Sequence, residues 1–326
     1  MSPAPATDLV PGSAGTVTVA VPTLNRLDDM VAMVRTLVRQ TRKPDGFIIV
    51  DAGSGHDLEA AMRRELQGSG IPLDYVRSEK GLPLQRNIAI DRAHGDFVFF
   101  FDDDVELDDD YIEQALAAFD LPYDPPIGCV TGTLTRPPSP GGRRAELYRA
   151  FGLTHWIRQG EPALYVSGGV RFITEPTAPM PVPAAEGCRM AFRRQVFETE
   201  RFVQFLPGYC QSEDVDFTYR VSRRWTLVQT PWARLDHKVS PTNRIQYANQ
   251  LHQLMYAHYH FFRHYRDKSP AHLARFAWAE LGLLGLAVGR QATKHEPGVG
   301  LLSKGIRDGL VRIGRDMVGR PLPVTA

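Results

Sequence analysis

Phe97-Val98-Phe99-Phe100-Phe101 runs without a break into Asp102-Asp103-Asp104. An apolar, aromatic run this short fits a buried strand and little else. Three adjacent carboxylates at its end repel one another unless a cation sits among them. A divalent metal is the simplest such cation, since Mg²⁺ and Mn²⁺ take oxygen ligands and, where coordination positions stay open, hold a substrate's phosphates. The competing reading is an acidic turn that caps a following helix, which better describes the nearby Asp108-Asp109-Asp110. Attachment to a strand that must be buried favours the metal reading for the first cluster, and the rest of the chain is expected to bring a phosphorylated donor to that strand end.

The flanking sequence alternates strand and helix. Thr16 to Val21 is β-branched and ends in Pro22-Thr23-Leu24-Asn25-Arg26, after which apolar residues at 27, 30, 31, 34, 37 and 38 mark one face of a helix. Gly46 to Val50 predicts a second strand ending at Asp51, Asp57 to Gln67 a helix, Leu73 to Val76 a third strand, and Pro83 to Ala93 a helix with proline near its start. Strands and helices that alternate over short connections predict a mostly parallel central sheet flanked by helices, with ligands at the carboxyl ends of the strands. Asp51 and Asp102 to Asp104 lie at such ends.

Further along, the patterns predict a helix at 109–119, a strand at 127–134, a helix near 143–158, a strand near 163–172 and a proline-rich loop at 174–184. Ser212 reads as the N-cap of a helix through Arg224, with Glu213 and Asp214 in its first turn and Asp216 serving only the helix dipole or solvent. Trp225 to Leu235 reads as a strand closed by Asp236-His237. The division expected is a leader at 1–15, a catalytic domain at 16–240 with a nucleotide-binding half to 135 and an acceptor half from 136, and a helical extension at 241–326.

Within the extension, apolar and aromatic residues at 247, 251, 254, 255, 258, 259, 262 and 265 form a helical stripe; His252, His258, His260 and His264 on it lack a ligand spacing and read as packing residues. Leu302, Ile306, Leu310, Ile313 and Met317 recur on one face, with Lys304, Arg307, Arg312 and Arg315 elsewhere on the wheel, the pattern of a basic amphipathic helix. Two occupants suit that helix: an anionic membrane surface, which would go with a lipid-linked acceptor, or the catalytic domain or a second subunit in a homo-oligomer. Phe276 to Val288, interrupted by Glu280, is too short to read as a membrane span.

Charge narrows the function class. A net charge of +1 in 326 residues argues against nucleic acid as a partner. It is unevenly placed: residues 263–320 hold eleven Lys or Arg against five Asp or Glu. Cys129, Cys188 and Cys210 follow neither a disulfide nor a zinc pattern, and residues 1–15 lack the charged and apolar regions of a secretory signal, so a cytoplasmic location is expected, on the inner face of the membrane if the basic helix binds lipid.

The succession Val21-Pro22-Thr23-Leu24-Asn25-Arg26, Val50-Asp51-Ala52-Gly53-Ser54, Gln85-Arg86-Asn87, Phe101-Asp102-Asp103-Asp104, Ser212-Glu213-Asp214 and His237 resembles the inverting family 2 glycosyltransferases of the GT-A fold, from about residue 16 to 240. The resemblance implies transfer of a sugar from a nucleotide-diphosphate donor to an acceptor hydroxyl, with Mn²⁺ or Mg²⁺ as cofactor. It implies that Pro22, Thr23, Arg26 and Asp51 hold the base and ribose, that Asp104 and His237 bind the metal, and that Asp102 reaches the ribose or the metal shell while Asp103 faces the sugar. By the same resemblance Asp214 is the catalytic base, Glu213 orients acceptor or sugar, and the segment from Glu186 to Arg193 borders the donor sugar, with Gly187 permitting a ligand's close approach. Ala52 stands where the family often has a second acid, which leaves the nucleotide open. Arg86, early in its helix, is positioned to reach base or phosphate oxygens. A nucleotidyltransferase would share the scaffold but ordinarily carries a glycine- and lysine-rich first loop, and a non-catalytic sugar- or protein-binding module should have lost Asp104, Asp214 or His237.

Overall fold

The computed structural model describes residues 15–53, 55, 57–138, 142–240, 242, 247–294 and 299–323. Nearly all of the leader read at 1–15, and Ser54 of the second motif, lie outside these residues. The first half alternates as expected: β1 (Val17–Thr23), α1 (Leu27–Val38), β2 (Gly46–Asp51), α2 (Leu58–Glu65), β3 (Leu73–Arg77), α3 (Leu82–Arg92) and β4 (Phe97–Phe101). Strands β3, β2, β1 and β4 lie side by side and parallel, so their carboxyl ends share one edge. Residues 97 to 101 are at most 3% exposed because both faces of β4 are covered. Phe99 and Phe101 enter the core beneath α1 and α4, while Val98 and Phe100 enter the core shared with α3 and α6. That double coverage explains a strand without polar alternation.

Beyond β4 come β5 (Val105–Leu107), α4 (Tyr111–Phe119), β6 (Ile127–Leu134), α5 (Arg143–Ala150), β7 (His155–Ile157), β8 (Ala163–Leu164), β9 (Val170–Ile173), β10 (Met180–Pro181), β11 (Arg189–Arg193), α6 (Glu213–Val221) and β12 (Thr226–His237). The sheet becomes mixed here: β11 inserts antiparallel between β4 and β6, while β12 runs parallel to β6 and antiparallel to β10 and β5. Three expectations change. The helix expected over 143–158 stops at Ala150, because Gly152 adopts φ +64 and its N–H bonds the Arg149 carbonyl, a helix-ending turn that frees β7. The strand near 163–172 is split into β8 and β9 by a turn closed by Tyr165 N–H to Gly169 O, with Gly168 at φ +87. The proline-rich segment contributes β10, a two-residue edge strand.

Three helices complete the chain: α7 (Tyr247–Tyr265), α8 (Pro270–Lys294) and α9 (Val299–Met317). α7 packs Tyr256 and Ala257 against Phe205, Leu206 and Cys210, in the loop that leads into α6. Among the described residues α8 is the one helix long and apolar enough, over Pro270–Gly289, to cross a membrane by length and composition; the sequence reading had taken this segment as too short.

Candidate active site

β5, only three residues long, has no readable periodicity, yet it assembles the site. It pairs with the end of β12 so that Val105 sits opposite His237, and Lys238 N–H bonds the Asp104 carbonyl at 2.9 Å. A residue 133 positions later is thereby laid beside the aspartates. Asp102, Asp104 and His237 each present one ligand atom, and these atoms all lie within 4.8 Å of one another. Asp104 Oδ2 accepts from Ser240 N–H at 2.8 Å, and Oδ1 lies 3.1 Å from His237 Nε2. Two carboxylates and an imidazole fit Mn²⁺ or Mg²⁺ by donor chemistry.

The charges are balanced from within the protein. Burial alone would lower the His237 pKa, but Asp104 and the Cys188 thiol beside it outweigh burial and push it up to about 11. Burial would raise Asp104, yet His237, Ser240 N–H and Arg26 hold it below its ordinary value. The guanidinium of Arg26, whose Nη1 is 3.5 Å from Asp104 Oδ2, also sets a cation beside the aspartates.

Pro22 pairs with Val50 and Thr23 with Asp51, so these three predicted donor-binding residues come together at the ends of β1 and β2. Asp51, however, is 2% exposed; its Oδ1 accepts Gly53 N–H at 2.7 Å and its Oδ2 accepts from the Tyr75 hydroxyl. It therefore first builds the turn that shapes the loop. A Cβ on Gly53 would stand 2.5 Å from Asn25 Oδ1, which accounts for glycine there. Thr23 and Arg26 both bond Asp103, at 2.7 Å each, and Arg26 also donates to the Thr242 carbonyl through Nε at 3.0 Å. Asp103 is 4% exposed and turned to these partners, which corrects the expectation that it faces a sugar ring.

The largest correction concerns Arg86. It is 1% exposed: Nη1 pairs with Glu213, Nη2 lies 3.2 Å from the Gly187 carbonyl and 3.5 Å from Asp102, and the guanidinium lies 5.3 Å from the centre of the Phe202 ring. A group so enclosed joins the two halves of the site and does not reach a base. Its partner Glu213 is 4% exposed and turned to Arg86. Burial pushes the Glu213 carboxyl up, and Arg86 opposes that rise. The close approach allowed by Gly187 is to Arg86, since a Cβ there would stand 2.6 Å from Nη2. The neighbours of Arg86 are equally structural: Gln85 donates to the Thr23 and Val50 carbonyls, and Asn87 exchanges two hydrogen bonds with the Phe202 backbone.

Asp214 is the half-buried acid of α6, with Oδ2 accepting Gly187 N–H and Oδ1 accepting Val215 N–H, each at 2.8 Å. Burial raises its pKa, opposed by Arg86 and these two amides, so the carboxylate is both fixed in direction and made more basic. Ser212 does not cap the helix with its side chain; it adopts φ +66. Asn25, Cys210, Ser212 and Val239 are the non-glycine residues with positive φ among those described, and each lies within two residues of Arg26, Glu213 or His237, or of the loop end at Ser212. Val239 is the costliest, being β-branched, and strain gathered at one site marks it as functional.

Asp216, expected to serve only the helix dipole or solvent, is 3% exposed and bonds the Tyr265 hydroxyl at 2.6 Å, His260 Nε2 at 3.3 Å and Arg220 Nε at 3.2 Å. It ties α6 to α7. No sequence spacing links positions 216, 260 and 265, so only the charge itself was visible.

A parallel four-strand block with acids at the ends of β2 and β4, completed by a histidine from a later strand, accords with a glycosyltransferase of the GT-A fold. Residues 18–200 match the glycosyl transferase family 2 profile, and the chain belongs to that family. It is similar in fold to the mannosyltransferase PcManGT from Pyrobaculum calidifontis in complex with GDP-Man and Mn²⁺, at a TM-score of 0.56 and 18% identity, covering 96% of this chain and 86% of that one. It is also similar to GalNAc-T7 with UDP, GalNAc and Mn²⁺, at a TM-score of 0.55 and 15% identity, covering 85% of this chain and 57% of that one. No curated protein is a detectable relative by sequence.

Proposed function

We propose that this glycosyltransferase is metal-dependent and inverting, and moves a sugar from a nucleotide-diphosphate donor to an acceptor hydroxyl with Asp214 as base. The observation that carries the reading is the cluster of Asp102, Asp104 and His237 joined to the Asp214 helix through Arg86, which contacts both Asp102 and Glu213. Mn²⁺ or Mg²⁺ held by Asp102, Asp104 and His237 would neutralise charge on the diphosphate leaving group. His237 would bind such an ion as a neutral imidazole. Asp214, aimed by the Gly187 and Val215 amides, takes the acceptor hydroxyl proton while the acceptor oxygen bonds to the anomeric carbon and the sugar–phosphate bond breaks on the opposite face. Thr23, Arg26 and Asp103 hold the first loop in place beside this centre.

A thermal-shift screen of UDP-, GDP- and TDP-sugars with Mn²⁺ tests the donor and the metal together. One class of nucleotide should raise the melting temperature with Mn²⁺, EDTA should remove the rise, and Asp104→Ala should abolish it. A rise that survives both EDTA and Asp104→Ala contradicts the metal role.

A further inference from the structure

We propose that α8 and α9 form a docking face for an anionic phospholipid bilayer. Among the described residues, eight of the fourteen exposed large apolar side chains lie between Leu273 and Val318. Such a concentration on one short segment marks a contact surface. α8 buries one stripe, Ala279, Leu283 and Ala287, against Leu153, Leu251 and Met255. Its opposite stripe stays outside, with Leu281 63% and Val288 54% exposed. Between Arg275 and Arg290 the helix carries one ionisable residue, Glu280, and that acid is hydrogen-bonded to His258 Nδ1 at 2.6 Å. The outer stripe is therefore uncharged.

α9 supplies the charge. Its inner side meets α7, where Gly309 faces Met255, Arg312 lies over Tyr256 and Asp316 is bound by Arg263. On the apolar face that the sequence marks, Leu310 and Met317 are 58% and 68% exposed. Arg307 stands 71% exposed among them, and the acid beside it, Asp308, is shared by Lys304 at 2.7 Å and Arg307 at 3.4 Å, so the two cations outnumber it. Apolar side chains interleaved with cations whose local acids are already paired fit an interfacial surface facing anionic lipid. A second copy of the chain would set like charges against one another.

The geometry favours lying on the bilayer over crossing it. Trp278 Nε1 donates to the Ala150 carbonyl, its ring lies tilted with its centre 4.8 Å from that of Phe151, and Gly282 is so close to Phe151 that a Cβ would collide with the ring. One side of α8 is thus fastened to the protein and only the outer stripe is free for acyl chains.

Co-sedimentation of the full chain with vesicles of phosphatidylcholine, alone or mixed with phosphatidylglycerol, tests the inference without reference to catalysis. The protein should pellet with the mixed vesicles, far less with phosphatidylcholine alone, and less as salt rises. Leu281→Asp combined with Val288→Asp should abolish pelleting, and Arg307→Gln should weaken it about fivefold, the worth of one cation near an anionic surface. Both changes are on exposed side chains, and an unchanged melting temperature checks folding; should the double variant unfold, Arg307→Gln alone decides. Wild-type protein that stays in the supernatant, Arg307→Gln protein that pellets as wild type, or a dimer in solution that Leu281→Asp dissociates while vesicles go unbound would each overturn the proposal.

Discussion

Replacing Arg86 with methionine removes the group that joins the two halves of the site. The guanidinium is 1% exposed and its carboxylate partner Glu213 is 4% exposed, so the change leaves an uncompensated buried charge. Glu213 Oε2 has no hydrogen-bond partner of its own to absorb the loss. Breaking a buried pair from one side costs about 3–5 kcal/mol, whereas replacing both members with apolar residues is often nearly neutral. The cycle of Arg86→Met, Glu213→Met and the double variant should therefore be strongly non-additive, with the double variant more stable than the sum of the singles by at least about 2 kcal/mol. Asp102 limits the recovery little, because its side chain is 29% exposed and can be hydrated once Arg86 is gone. Urea denaturation at neutral pH measures all four corners. Single variants that each lose less than about 1 kcal/mol, or losses that simply add, would refute the reasoning.

Gly187→Ala should perturb the same centre from the backbone side: a Cβ 2.6 Å from Arg86 Nη2 forces the guanidinium to shift, at a cost of about 1–3 kcal/mol in the same denaturation assay, and wild-type stability would show that Arg86 is free to move. Asp216→Asn should lower stability by about 1.5–3 kcal/mol, because it removes charged hydrogen bonds between α6 and α7. Burial would raise the Asp216 pKa, but His260, Arg220 and Tyr265 hold it below its ordinary value. A depressed folded pKa means the wild-type advantage is complete above the unfolded value of about 3.9 and disappears as pH falls through the lower folded value. Denaturation midpoints of both proteins across that range check the sign, and an advantage that grows on acidification would contradict it.

The parallel half of the fold was legible because each of its elements carries its own period, and β4 above all, whose unbroken apolar run requires cover on both faces. Asp102, Asp104 and His237 were legible as a set through resemblance, while the element that unites them, β5, is too short to leave a pattern. Charged residues misled most. Arg86, Glu213, Asp103 and Asp216 look solvent-facing in a sequence, because a buried charge is tolerable only with a partner and the partners lie up to 127 positions away. The same limit applies in reverse to α8, whose apolar composition was plain while the face left uncovered depends on where Phe151 and Met255 sit.

The central claim, that Asp214 takes the acceptor proton beside a donor held by separate residues, is tested most directly by Asp214→Asn. Donor affinity and transfer should be measured on the same protein, by calorimetric titration of the nucleotide sugar with Mn²⁺ and by release of nucleoside diphosphate in the presence of acceptor. The amide keeps the size of the side chain, accepts one of the two backbone N–H bonds and loses the basic oxygen, so donor binding should stay within about twofold while kcat falls by about 10²–10⁴. An Asn variant that transfers sugar at the wild-type rate would remove Asp214 from the mechanism.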